Sequence, residues 1–141
     1  SKCNTNDDDY IAYAFASKTG YSKFGSYTGN GNADGTFVYT GFKPAFTILK
    51  RTDATGGWIT VDNKRDTFNV AGKFVYPDDN SAEQDLTSSH TPLDFLSNGM
   101  KMRSSNLTGT TSLNISGATY IYMAFAEAPL VGSNNIPCTA R

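Results

Sequence analysis

Residues 41–66, GFKPAFTILKRTDATGGWITVDNKRD, decide how this chain is read. Pro44 opens the run Ala45-Phe46-Thr47-Ile48-Leu49, whose β-branched and aromatic residues suit a pleated, half-buried surface. Proline is tolerated at the first position of a strand, where its missing N–H need not join the ladder. Lys50-Arg51-Thr52-Asp53 then turns polar, and Ala54-Thr55-Gly56-Gly57 supplies residues able to take positive φ. Trp58-Ile59-Thr60-Val61-Asp62 reads as a second short strand. Two β-rich runs joined by a glycine-bearing connection predict a hairpin.

Outward from the hairpin, the same period-2 signal recurs. Residues 10–16 (YIAYAFA) and 120–126 (YIYMAFA) echo one another. Each is expected to be a strand, with its large residues on one face (Ile11, Tyr13 and Phe15; Ile121, Met123 and Phe125) and small ones opposite. The matching patterns predict neighbouring strands in one sheet, with Ile121, Met123 and Phe125 turned to the core. Residues 1–9 are polar and read as an arm, leaving residues 10–141 as one domain.

Residues 20–35 are turn-rich, with a short strand expected near residues 24–27. A phosphate cradle needs a helix after such a loop, and here another strand (36–40) follows. Residues 73–76 form a strand stopped by Pro77, and residues 78–92 are a long polar loop with a helical turn expected at 82–86. Ser97-Asn98-Gly99 joins residues 93–96 to 100–103 as a hairpin, because Asn-Gly is a strong short-turn signal. Residues 113–115 read as one more short strand. About ten short strands without an amphipathic helix point to an all-β fold, an antiparallel β-sandwich or jelly roll.

At 141 residues, a single domain buries roughly two-thirds of the surface its unfolded chain exposes. The 13% aromatic content supplies a real core or an adhesive face and argues against disorder. Net charge is -1 with no basic stripe, which speaks against nucleic-acid binding, since that affinity rests on clustered Lys and Arg. No apolar run reaches membrane-spanning length, so membrane insertion is not expected. The first residue is Ser1, as expected of a fragment or a processed product. Cys3 and Cys138 lie near opposite ends and fit no zinc or redox spacing. Domain termini often lie close together, so a disulfide between them is compatible with the fold. In the chain-entropy model it would contribute about 4–5 kcal/mol.

Chemistry-bearing groups are sparse. His90 is the single histidine and both cysteines are terminal, so neither a Ser-His-Asp nor a Cys-His arrangement assembles. No metal or cofactor is expected; the acidic triplet Asp7-Asp8-Asp9 reads as a solvated approach to a strand. Carboxylates such as Asp62, Glu83, Asp94 and Glu127 exist, but such pairs occur in any chain of this size, and an enzyme is not expected. Trp58 with Asp62 and Arg65 is the candidate ligand site, an aromatic platform with polar anchors. The structural alternative packs Trp58 in the core and pairs Asp62 with Arg65. Tyr21, Tyr27, Tyr39 and Tyr76 suit a binding surface or a subunit interface. Asn106 and Asn114 stand in glycosylation-acceptor triplets, which matter only in a glycosylating host.

Five segments, in order, carry a family resemblance: YSKFGSYTGNG (21–31), FVYTGFKPAF (37–46), the Trp58 strand with Asp62 and Arg65, LDFLSNGMK (93–101), and YIYMAFAEAP (120–129) with the tail IPCTAR (136–141). Together they resemble a domain found toward the C-terminal end of bacteriophage tail-fibre proteins, marine and cyanophage-type viruses among them. The resemblance implies a non-enzymatic virion domain, assembled in the host cytoplasm and exposed outside the cell. It implies a homo-oligomer, with a trimer favoured, and loops that meet a bacterial surface glycan or protein. The alternative is a structural or assembly subunit: a fibre trimeriser, a capsid decoration unit or a filament subunit. Assembly in a reducing cytosol opposes the Cys3–Cys138 disulfide, which stays open between its two states.

Overall fold

The structure, a computed structural model, describes residues 5–86, 93–104 and 112–128. Among them there is no helix. The strands in chain order are β1 (Ser22–Thr28), β2 (Phe37–Tyr39), β3 (Pro44–Arg51), β4 (Ile59–Asp62), β5 (Lys73–Val75), β6 (Gln84–Asp85), β7 (Leu93–Leu96), β8 (Gly99–Met102) and β9 (Thr119–Ala126). A six-stranded sheet runs β1-β9-β3-β4-β5-β6 and a three-stranded sheet runs β2-β8-β7, with every pairing antiparallel. Leu49, Ile59, Val61, Phe74 and Tyr120 from the large sheet meet Leu93, Met100 and Met102 from the small one in one buried cluster. That is the arrangement of a β-sandwich.

The β3–β4 hairpin forms as its sequence predicts, with Phe46 opposite Asp62 and Leu49 opposite Ile59. The β7–β8 hairpin likewise forms, but its two-residue turn is Ser97-Asn98, with Gly99 already paired to Leu96 as the first residue of β8. β9 is central, pairing with β1 on one side and β3 on the other. Its inward face is the opposite of the expected one. Tyr120, Tyr122 and Ala124 are buried, whereas Ile121 is 39% exposed and Met123 and Phe125 are half-buried. The tyrosines can face inward because a core hydroxyl finds a partner: Tyr120 Oη donates to Ser112 O at 3.0 Å.

Residues 10–16 are not a strand and do not neighbour β9; Ile11 and Tyr13 are 83% and 82% exposed. The chain does begin a hairpin there. Lys18 and Ser22 exchange backbone bonds of 2.9 and 3.0 Å, one antiparallel rung. Continuing it would set Phe15 opposite Gly25 on the core side. The Tyr122 ring already lies across Gly25, where an added Cβ would meet Tyr122 Oη at 2.9 Å. Phe15 instead turns to the outer face, against Phe24 and Phe125 with ring centroids 6.2 and 5.9 Å away.

Three smaller expectations also change. Residues 84–85 pair with β5 as a strand where a helical turn was expected. Residues 113–115 form no strand, although Leu113 is buried in the core, because side-chain hydrogen bonds hold this segment in place of a ladder. Tyr27 is a core residue and lines no surface: its ring stacks on Tyr120 at 4.9 Å and its hydroxyl donates to Leu113 O at 2.8 Å.

Candidate functional site

The three residues singled out around β4 do not form one site. Trp58 precedes β4, and Asp62 ends it. Four residues of extended chain separate them by about 13 Å. Asp62 closes the turn that follows: its Oδ1 accepts the N–H groups of Lys64 and Arg65 at 2.9 and 3.0 Å. Its Oδ2 accepts Arg65 Nε–H at 2.7 Å. Arg65 Nη1 then donates to Glu83 Oε2 at 2.6 Å. The guanidinium is thus spent on two carboxylates and staples the turn after β4 to the segment that leads into β6.

Burial works against the charged form of Asp62, but the Arg65 side chain and the two backbone donors outweigh it and hold the carboxyl below its ordinary range. A depressed folded-state pKa adds stability that is present above the unfolded value, near about 3.9, and is lost as pH falls through the folded one. Asp62→Asn is therefore expected to lower thermal stability at neutral pH, with the gap to the parent closing as pH drops below about 4. Melting curves across that range check this. A gap that stays constant would mean that the Asp62 charge contributes nothing.

Trp58 belongs to a different neighbourhood. Its backbone N–H donates to Asp78 Oδ1 at 3.0 Å, tying the β3–β4 loop to the segment after β5. Lys50 Nζ, donating to Gly56 O at 2.6 Å, pins the same loop from the other side. Between the two segments lies an open cleft of about 470 Å³, lined by Gly56, Gly57, Tyr76, Asp78, Asp79 and Ser81. Gly57 keeps the cleft clear, since a Cβ there would stand 3.0 Å from the Tyr76 ring. Tyr76 is set edge-on against buried Phe74, with centroids 5.3 Å apart. Burial first, and the Asp79 and Asp78 charges next, raise the pKa of its hydroxyl, which stays a donor at neutral pH. Asp79 Oδ1 accepts both the N–H and the hydroxyl of Ser81, at 2.9 and 3.0 Å. An aromatic ring, a phenol donor and carboxylate acceptors around an open cleft suit a polyhydroxylated ligand.

A second cleft of the same volume opens at the other end of the large sheet, lined by residues that include Lys18, Lys23 and Tyr39. Lys23 Nζ sits 5.1 Å from the Tyr39 ring centroid, so its aromatic face is already taken by a cation.

Sequence reading found Trp58 as the sole tryptophan but missed Asp78 as the acceptor of its N–H and Asp79 beside Tyr76; the only trace of them was a paired carboxylate just past Pro77. It also missed Asn114, which is fully buried. Asn114 Nδ2 donates to Asn30 Oδ1, Asn32 O and Ser104 O, and its Oδ1 accepts Asn30 N–H. Asn114 therefore serves the fold and cannot take a glycan in it. Asn106, His90, Cys3 and Cys138 lie outside the described residues, and with them the disulfide. Among the described residues, no group of three or more His, Cys, Asp or Glu side chains is placed to hold a metal ion.

No curated protein and no solved structure matches the chain. A family model does, over residues 1–129, so the chain belongs to the family described as a domain of unknown function, DUF7483.

Proposed function

We propose that this chain is a non-enzymatic domain of a phage fibre or other virion appendage, acting outside the host cell and meeting a host-surface glycan with the loops around Trp58. The observation that carries the reading is the cleft in which Tyr76 stands open beside Asp78 and Asp79, between two loops fixed by Lys50 and by the Trp58 N–H. No cofactor, metal or nucleic acid enters this reading. The resemblance to tail-fibre domains supports the appendage setting, in which copies of the chain assemble, a trimer being the expected form.

The test is a glycan array with the full chain, followed by calorimetry on any hit. Tyr76→Ala is expected to weaken binding roughly tenfold or more, as truncation of an aromatic anchor does. Asp62→Asn, at the far end of β4, is expected to bind as the parent does. An empty array, or hits that Tyr76→Ala retains in full, sinks the glycan reading.

A second reading, a structural or assembly subunit, has its own support. The outward face of the large sheet carries Phe24, Phe46, Ile48, Ile121, Met123 and Phe125, where an antiparallel sheet with one solvated face would carry polar residues.

A further inference from the structure

Two apolar features lack a covering partner among the described residues, and they adjoin. The first is the outer face of the large sheet. Phe125 is its hub, with the rings of Tyr21, Phe24 and Phe46 between 5.9 and 6.3 Å away. Phe46 and Ile121 are more than a third exposed there. The second is the segment of residues 10–16. It packs its Phe15 ring on this face and holds Ile11 and Tyr13 out in solvent.

The edge beside them is open as well. Tyr21, Gly29 and their β9 partners set the phase of the ladder, so odd-numbered β1 residues bond β9 and even-numbered ones face outward. Ser22 is satisfied by Lys18 and Phe24 N–H by Ser17 Oγ, which leaves Ser26 with no backbone partner on that edge among the described residues. A free edge next to an extended apolar segment is a template for association that soluble proteins usually blunt with charge. Around Phe24, Ile48, Met123 and Phe125 this face carries no charge; Lys50, opposite Ile121, and Asp62, opposite Phe46, stand at its rim and are already bonded within the chain.

We propose that residues 10–16 and the outer face of the six-stranded sheet form a self-association surface, covered in the assembly by the same elements of a second copy of this chain. This rests on the assembly reading above and names its surface. Three observations favour a second copy as the occupant. Donor segment and acceptor face lie on one chain, so two copies satisfy each other without a further component. Net charge is -1, which sets no barrier to like meeting like. The size is of the right order: three strands, β1, β9 and β3, about 4.8 Å apart and some 25 Å long present about 350 Å². The protruding segment brings this toward the roughly 800 Å² per partner of a specific interface.

The test is sedimentation equilibrium of the full chain beside the double variant Ile11→Ser/Tyr13→Ser and, separately, Ile121→Lys. Neither change touches the core, and melting curves confirm that each variant folds. The parent is expected to associate, and each variant to associate roughly tenfold or more weakly, as for truncated interface anchors. A parent that stays monomeric overturns this inference and the assembly reading together. A parent that associates while both variants associate equally well overturns this surface alone and leaves assembly through another face. Glycan binding by the variants, measured on the same array, reports on the cleft independently.

Discussion

Tyr120→Ala is expected to take away much of the protein's stability. Tyr120 is fully buried, stacks on Tyr27 with rings 10° from parallel, donates to Ser112 O and accepts Ile115 N–H at 3.1 Å. Emptying such a site costs about 3–5 kcal/mol. The orphaned Ser112 carbonyl and Ile115 N–H add about 1–3 kcal/mol more. Against a typical total of about 5–15 kcal/mol, the variant is expected to be largely unfolded or close to it at room temperature. Tyr120→Phe separates the two contributions, keeping the ring and losing only the hydrogen bonds. Phe125→Ala is the informative contrast. Phe125 is half-buried on the opposite face of the same strand, so its truncation is expected to cost clearly less than that of Tyr120. Lys18→Ala, at an exposed position, is expected to cost little. Urea denaturation midpoints rank the variants. If Phe125→Ala proves as damaging as Tyr120→Ala, the core lies on the wrong side of β9 here.

That contrast also shows what the sequence could and could not convey. The β3–β4 and β7–β8 hairpins were legible because their signals are local: β-branched runs, Gly56-Gly57, and Asn98-Gly99. The central place of β9 was legible from its apolar character. Its inward face was not, because both faces are apolar, and period-2 alternation assigns a side only when one face is polar. Residues 10–16 carry a strand pattern as good as that of β9, yet a strand needs a partner. Whether one exists depends on where the Tyr122 ring lies, in a residue more than a hundred positions away. The same limit applies to the candidate site. Asp62 and Arg65 are close in sequence and their pairing could be foreseen. Glu83 as a third member, and Asp78 as the acceptor for Trp58 N–H, are contacts between loops that no spacing encodes.

Asn114 shows the cost of a non-local contact most directly, and Asn114→Ala is expected to destabilise the protein by about 2–4 kcal/mol. Its amide joins three pieces of chain: the loop of residues 29–35 through Asn30 and Asn32, the end of β8 through Ser104 O, and its own segment over the core. Water can reach the exposed Asn30 and Asn32 once the amide is gone, but Ser104 is buried and would be left unpaired. That is why the expected loss falls short of four full hydrogen-bond penalties. The loop has other ties. Asn30 Oδ1 accepts Asn32 N–H, Asn32 Oδ1 accepts Asp34 N–H, and Lys101 pairs with Asp34. Its fit is close: a Cβ on Gly35 would stand 2.2 Å from Met102 O and 2.8 Å from Asn114 Nδ2. Hydrogen exchange discriminates the two sources of order. In Asn114→Ala the amides of residues 30–34 are expected to lose protection while those of β3 and β9 keep most of theirs. If protection in the loop is unchanged and stability falls by less than about 0.5 kcal/mol, the asparagine turns hold the loop by themselves. The buried amide would then be filling space in the core and would not be what locks the loop to it.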